Sequence, residues 1–323
     1  MPYAIRIYES GGPEVMSWEE VEVGDPGPGE VRVRNMAVGL NYIDTYHRSG
    51  LYPMPMPMTL GSEGAGVIEK VGPKVKDYKV GDRVAYAQPI GAYAEVLNRP
   101  VARLVKIPAG IEDKTAAAMM LKGMTAWYLV RRTYKVKKGD TILVHAAAGG
   151  VGQILCQWAK HLGATVIGTV GSDEKAALAK KAGCKHVIVT SSEKIPERVK
   201  AITKGKGVPV VYDGVGKDTF MDSLDCLAPL GLMASFGNAS GAMPPVNIGI
   251  LAQKGSLFLT RPTLGNYTAT PEDLATAARE LFAVVKKGAV KIKINQTYPL
   301  REAAQAHTDL QNRKTTGSTV LLP

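Results

Sequence analysis

Three glycines within four residues, Gly149, Gly150 and Gly152 around Val151, follow the apolar run Leu143-Val144 and precede a helical pattern that ends at Gly163. A glycine-lined turn from strand into helix lets the main chain approach a pyrophosphate, and the helix N-terminus offers it N–H groups and a partial positive charge. Ala147 stands where the first glycine of this fingerprint is usual. The chemistry expected here is dinucleotide binding. An acid about 20 residues downstream accepts from the ribose hydroxyls in NAD sites, whereas a 2′-phosphate needs that acid gone and a cation near. The next predicted strand ends in Gly171-Ser172, with Asp173, Glu174 and Lys175 close behind. The absent acid at the strand end and the nearby lysine favour the phosphorylated cofactor, NADPH; the two acids are the opposing feature.

Metal and thiol chemistry find less support. Cys156, Cys184 and Cys226 are isolated and odd in number, which suits buried thiols better than a zinc site or a disulfide framework. His47, His145, His161, His186 and His307 are scattered and read as surface or packing residues, so no metal site is expected.

A dinucleotide turn requires a parallel sheet to carry it, and the pattern of the chain supplies one. Short apolar strands are expected at 142–146, 165–170, 186–189, 208–213, 232–236 and 257–260, with helical stretches between most of them, such as 174–182 and 219–227. Strands joined by helix-length connections imply a doubly wound parallel sheet of the Rossmann type. The first 120 residues differ. They are rich in Gly, Pro and β-branched residues, with alternating runs such as Val31-Arg32-Val33-Arg34, and predict a mostly antiparallel β domain. Helix is expected at 112–120 and 123–132. After Pro262 a capped helix from Thr270 to Gly288, a strand at 290–294, a polar helix at 301–313 and a strand at 318–322 are too few to build a core alone. They are expected to dock back onto the first domain. The fold class is therefore α/β, with domains at 1–123, 124–262 and a C-terminal return at 263–323.

At 323 residues the chain accommodates two cores, and no apolar run approaches the roughly 20 residues that span a bilayer. The start, Met1-Pro2-Tyr3-Ala4, lacks the basic and apolar regions of a secretory signal, which makes the cytoplasm the expected location. Forty basic against 29 acidic residues leave a charge of +11, which favours anionic partners such as a phosphorylated cofactor.

The ordered motifs resemble a known family. They include Gly11-Gly12-Pro13-Glu14-Val15, Gly39-Leu40-Asn41-Tyr42-Ile43-Asp44-Thr45-Tyr46, Gly61-Ser62-Glu63-Gly64-Ala65-Gly66, Ala146 to Gly152, Gly231 to Asn238 and Thr260-Arg261-Pro262. Together they resemble the zinc-free quinone oxidoreductases, or zeta-crystallin-like proteins, of the medium-chain dehydrogenase/reductase superfamily, nearest to the bacterial NADPH-dependent type. The resemblance implies a GroES-like catalytic β domain beside the Rossmann domain. Zinc-dependent members carry a cysteine where Asn41 stands and a histidine where Ser62 stands. Amide and hydroxyl are poor zinc ligands, so metal-polarised alcohol oxidation is not expected.

By the same resemblance, cofactor contacts fall on Asn41, Tyr46, Tyr128, Gly149, Gly150, Val151, Gly152, Gly171, Ser172, Lys175, Thr190, Phe236, Asn238, Arg261 and Arg313. Taken alone, Phe236 also reads as core and Asn41 as a turn cap. Thr190 replaces a tyrosine that many relatives place against the adenosine end, leaving a hydroxyl to reach phosphate. The implied reaction is metal-free reduction of quinones by NADPH, with Asn41, Tyr46 and Tyr52 as catalytic polar groups and alignment carrying most of the rate. Tyr52 lies in the loop Leu51 to Met58, which alternates Met with Pro and suits a flat apolar substrate. An enone or 2-alkenal reductase is the alternative reaction, and an NADPH-binding RNA-binding or structural protein the alternative of another class. A homodimer is expected through the apolar edge strand at 256–260.

Overall fold

The strand Glu30–Leu40 shows how the first part of the chain builds a sheet. Val31, Val33, Asn35 and Ala37 point inward while Arg32, Arg34 and Met36 point away from the core, the two-residue period of a pleated strand. From Ala37 to Leu40 every residue is buried. A computed structural model describes residues 1–323, which divide into two compact units.

Unit 1 comprises Met1–Met124, Thr268–Lys286 and Ile292–Pro323. Its strands are β1 (Tyr3–Ile7), β2 (Ser17–Glu20), β3 (Glu30–Leu40), β4 (Met58–Thr59), β5 (Glu63–Val71), β6 (Arg83–Ala87), β7 (Val96–Pro100) and β8 (Val105–Lys106). Unit 2 comprises Thr125–Tyr267 and Lys287–Lys291. It contributes β9 (Thr141–Val144), β10 (Thr165–Val170), β11 (His186–Val189), β12 (Val208–Asp213), β13 (Leu227–Ser235) and β14 (Phe258–Thr260). The chain then adds β15 (Ile294–Pro299) and β16 (Ser318–Leu322) to unit 1.

In unit 1, β2-β1-β4 form a small antiparallel sheet, and β15-β16-β3-β5-β6-β8 form the main one, with β7 also paired to β3. All of its pairings are antiparallel except β15 with β16. The last strand lies against β3 with Val320 opposite Gly39. Ile5, Ile7, Val33, Leu60, Ile68, Val84, Tyr86 and Tyr93 fill the core of this unit.

Unit 2 holds one parallel sheet in the order β11-β10-β9-β12-β13-β14. Counted within the sheet this is 3-2-1-4-5-6, the doubly wound order whose direction reverses between β9 and β12. Its strands read as unbroken apolar runs because both faces are covered. Val166, Ile167, Val210, Val211 and Tyr212 are completely buried. The helix Gly150–His161 buries Ile154, Leu155, Trp158 and Ala159 and exposes Lys160, the stripe expected of a helix packed on a sheet.

Several elements differ from the sequence pattern. β13 starts at Leu227 rather than at 232, and the helix expected at 112–120 covers Asp113–Ala117. The strand expected at 290–294 begins only at Ile294, because the amide of Gln157 takes both main-chain groups of Lys291: it accepts from Lys291 N at 2.9 Å and donates to Lys291 O at 3.1 Å. The helix expected at 123–132 starts at Met120 and passes after Tyr128 into a wider turn, Leu129–Thr133, of the kind that accommodates one extra residue. The helix expected at 301–313 runs only from Ala303 to Gln311, and Arg313 lies beyond it with φ of 60°.

Candidate functional site

In unit 2, the turn after β9 places Ala146 in the left-handed region at φ 50°, with Gly149 N donating back to Ala146 O at 2.9 Å. Gly149 precedes the first helical residue and no side chain caps the helix it introduces. An uncapped helix start at a sheet's switch point is a place for an anion. Close packing explains the glycines: a Cβ on Gly152 would sit 2.3 Å from Ala146 O, and one on Gly149 3.2 Å from the same atom. Gly150 and Val151 form the first half-exposed turn of the helix. Ala147 is buried where the fingerprint has glycine, and its methyl lies 2.7 Å from where a Cβ on Gly168 would be, so glycine there makes room for it.

A buried polar chain lies at the same end of the sheet. His145, immediately after β9, meets Thr169 Oγ1 of β10 through Nδ1 and Ser223 Oγ through Nε2, both at 3.0 Å. Ser223 and Thr219 each donate to Asp213 Oδ2 at 2.7 Å, while Asp213 Oδ1 accepts from the main chain of Val215 and Gly216. Burial lowers the His145 pKa and keeps the ring neutral. The read of His145 as a packing residue understates this: it ties together the ends of the strands that carry the turn.

The residues assigned to a 2′-phosphate cluster at the ends of β10 and β11. Nothing lies within 4 Å of the position of a Cβ on Gly171, and Ser172 precedes a helix, Asp173–Lys181, whose first turn carries Lys175. Thr190 N and Oγ1 donate to Val170 O at 2.8 and 3.2 Å. A hydroxyl has one proton, so Thr190 would have to turn from Val170 O to donate to a phosphate. Further along the sheet, Phe236 N donates to Asp213 O, and its ring comes within 2.9 Å of the Cβ position on Gly214. Arg261 donates to Ser235 O at 2.6 Å, and Asn238 O accepts from Gly241 N in the loop after β13. Tyr128 is buried and stacked on Tyr267, ring centres 4.5 Å apart; burial raises its phenol pKa.

In unit 1, Asn41 and the helix Tyr42–Arg48 that follows it carry a second polar centre. Asn41 Nδ2 donates to Glu63 Oε1 at 2.9 Å and to Gly39 O at 3.3 Å. Carboxylate and carbonyl oxygens only accept, so the amide must face them with its nitrogen, and its Oδ1 remains as an acceptor. With its amide hydrogens on Glu63 and Gly39, Asn41 has an acceptor to offer. Glu63 also accepts from Leu121 N and forms an ion pair with Lys122, both members buried. Asp44 Oδ2 accepts from Asn41 N and Tyr93 OH, and Asp44 Oδ1 accepts from Ser62 Oγ at 2.6 Å. Tyr46 is buried with Tyr52 set edge-on at 5.2 Å, and Tyr52 N donates to Tyr46 O. Glu63, Lys122, Asp44, Tyr93 and Ser62 were absent from the catalytic assignments; the local signals were Asp44, between Asn41 and Tyr46, and Glu63, next to Ser62. No group of three His, Cys, Asp or Glu side chains converges in a way that would hold a metal ion.

Comparison with known proteins extends these observations. Residues 150–283 match the family described as zinc-binding dehydrogenase, and residues 27–109 the alcohol dehydrogenase GroES-like domain. The chain is 57% identical to a quinone oxidoreductase of Pseudomonas aeruginosa, with 100% of both chains covered. It is 49% identical to a 2-haloacrylate reductase of a Burkholderia species, covering 100% of this chain and 99% of the relative. A crystal structure of Escherichia coli quinone oxidoreductase complexed with NADPH superposes with a TM-score of 0.98 at 51% identity, covering 99% of this chain and 100% of the other.

Proposed function

The chain belongs to the quinone oxidoreductases of the medium-chain dehydrogenase/reductase superfamily, and from that premise we propose that it reduces quinones with NADPH and without a metal ion. The observation that carries this reading is the pairing of an uncapped glycine turn at the switch point of a 3-2-1-4-5-6 sheet with a polar centre in which Asn41 and Ser62 occupy the ligand positions of the zinc-dependent relatives.

The residues present fit NADPH. Gly152 keeps the turn closed by carrying no Cβ against Ala146 O, and the helix start it shapes receives the pyrophosphate. Lys175 and Ser172 hold the 2′-phosphate, next to the open space above Gly171. In unit 2, Arg261, Asn238, Phe236 and Tyr128 are assigned the remaining cofactor contacts. When bound, NADPH supplies the two electrons of the reaction as hydride.

The protein's own part is alignment and charge stabilisation. A quinone reduced at one end develops negative charge on its oxygen, and the phenols of Tyr46 and Tyr52 are the donors assigned to it. Burial keeps Tyr46 dry and its edge-on contact with Tyr52 limits the freedom of both rings. Asn41 serves as an acceptor for a donor on cofactor or substrate. Overall, quinone, NADPH and one proton give hydroquinone and NADP⁺.

Activity in the cytoplasm and a homodimer complete the proposal. The edge strand β14 presents Phe258 and Leu259, 60% and 41% exposed, and an unpaired apolar strand edge invites pairing with a second copy. The likeness to a 2-haloacrylate reductase supports a second reading, reduction of an activated C=C bond by the same site. Steady-state kcat/KM for a 1,4-quinone and for 2-chloroacrylate at saturating NADPH decides between them. A quinone preference is expected; a preference for the acrylate would transfer the assignment to the second reading.

A further inference from the structure

The hydrogen bonds around Asp44 run in one direction. Arg48 donates from Nη1 to His307 Nδ1 at 3.0 Å, from Nε to Gly11 O and from Nη2 to Gln311 Oε1. A guanidinium cannot accept, so His307 Nδ1 carries no proton. Burial and Arg48 lower the His307 pKa to about 3, so the ring is neutral and its proton is on Nε2. Nε2 lies 3.0 Å from Tyr93 OH and therefore donates to it. The Tyr93 proton is left for Asp44 Oδ2, at 3.1 Å. Asn41 N donates to the same oxygen at 2.9 Å. Both sites facing Asp44 Oδ2 are thus donors with nowhere else to turn. Only Asp44 Oδ1, facing the rotatable Ser62 hydroxyl, can take up a proton.

Two crossed ties place Ser62 beside Asn41. Asn41 reaches Glu63, the residue after Ser62, while Ser62 reaches Asp44, three residues after Asn41. Ser62 is 3% exposed and Asp44 is completely buried.

We infer that Asp44 is a positioning residue that sets the direction of the Ser62 hydroxyl: ionised, it draws the Ser62 proton onto itself, and protonated, it turns Ser62 outward as a hydrogen-bond donor to the reduced quinone oxygen. The inference rests on the proposed quinone reduction at the centre marked by Asn41. In the ionised state Ser62 Oγ–H points to Asp44 Oδ1. When Oδ1 gains a proton it donates to Ser62 Oγ, which then accepts and directs its own proton away. No covalent bond to carbon changes in this step; one proton is taken up and one hydroxyl rotates. The outward hydroxyl stabilises the charge that develops on the substrate oxygen.

The charge that acts on Asp44 is Lys122. Glu63 and Arg48 act on its partner Tyr93, and Arg48 also on the neutral His307 behind that phenol. Desolvation outweighs the hydrogen bonds from Ser62, Asn41 and Tyr93 and the attraction of Lys122, and raises the Asp44 pKa to about 6. The two states therefore exchange near neutral pH.

The test is the pH profile of kcat/KM for a 1,4-quinone at saturating NADPH, with thermal unfolding of every protein used. In the wild type, kcat/KM should rise about tenfold per pH unit as pH falls from about 8 towards 6, then level off. Asp44→Asn reproduces the protonated geometry: its oxygen can accept from Asn41 N and Tyr93 OH, and its NH₂ can donate to Ser62. It should be flat with pH at the level of the wild-type acid plateau. Tyr93→Phe removes one donor to the ionised carboxylate and should move the rise upward by about one pH unit. Ser62→Ala should be flat and low. A folded Asp44→Asn that keeps the wild-type rise, or is flat at the wild-type alkaline level, overturns the inference. So does a pH-dependent rise that survives in Ser62→Ala; this and Tyr93→Phe decide the matter if Asp44→Asn does not fold. Absence of quinone turnover in the wild type at every pH would instead overturn the quinone reading on which the inference stands.

Discussion

Gly152→Ala is a demanding perturbation of the nucleotide turn, because the structure sets its size. The added Cβ would lie 2.3 Å from Ala146 O and 2.8 Å from Ala147 Cα. Both are main-chain atoms, so relief requires the turn itself to open by about an ångström, well beyond rotamer adjustment. Overpacking of this kind costs about 1–3 kcal/mol. At about 2 kcal/mol, Tm falls by roughly 4–8 °C. The opened turn also misaligns the helix start with its anion, and each 1.4 kcal/mol lost there weakens NADPH about tenfold, so a rise in Kd of about 10–100-fold is expected. Gly149→Ala meets Ala146 O at 3.2 Å, a contact relieved by a few tenths of an ångström, and should raise Kd no more than about threefold. Gly171→Ala meets nothing within 4 Å and should leave Tm unchanged. Fluorescence titration of NADPH together with differential scanning calorimetry reads the series. NADPH affinity in Gly152→Ala within a factor of two of wild type, or greater damage from Gly149→Ala, would refute the packing argument.

Lys175→Ala should weaken NADPH about tenfold and leave NADH unchanged, since only the former carries the 2′-phosphate that a charge-assisted contact would hold; equal losses for both cofactors in the same titration would place the lysine elsewhere. Acid stability separates two buried groups of opposite sign. His307, lowered to about 3 in the fold from 6.5, contributes stability that is complete above 6.5 and lost as pH falls towards 3. Asp44, raised to about 6 from 3.8, binds its proton earlier in the fold than in the unfolded chain, so falling pH between those values relieves its burial and offsets His307. Urea unfolding of Asp44→Asn should therefore lose stability more steeply than wild type from about pH 6 to about pH 4, and parallel slopes would contradict the assignment. Phe258→Asp on the edge strand should convert the proposed homodimer to a monomer in sedimentation at micromolar concentration; an unchanged mass would exclude β14 as the interface.

The parts of this protein that are legible from sequence are those whose signals are local. The glycine turn, the apolar strands of the parallel sheet and the alternation of β3 each occupy a few consecutive residues, and the structure has them near where the patterns predict, except that β13 starts five residues early, at Leu227. The polar centre of unit 1 is different. Ser62 and Asp44 are 18 residues apart, Glu63 and Lys122 59 apart, and Tyr93 and His307 214 apart, so no spacing rule joins them. Lys122 falls between the helices expected at 112–120 and 123–132, and nothing in that stretch points to Glu63. The direction of the Asn41 amide, which makes it an acceptor, is fixed by that same distant carboxylate. Thr190 illustrates the converse: its hydroxyl is spent on Val170 O, a neighbour across two strand ends that the sequence alone does not reveal. The late start of β15 likewise depends on Gln157, 134 residues from Lys291.

Metal-free reduction of quinones by NADPH is tested most directly by stopped-flow mixing of the NADPH-loaded protein with a 1,4-quinone in buffer treated with a strong zinc chelator. The expected result is loss of NADPH absorbance matched one for one by hydroquinone, at a rate the chelator does not alter. No oxidation of NADPH by any quinone, or activity that disappears on chelation and returns with zinc, would contradict it.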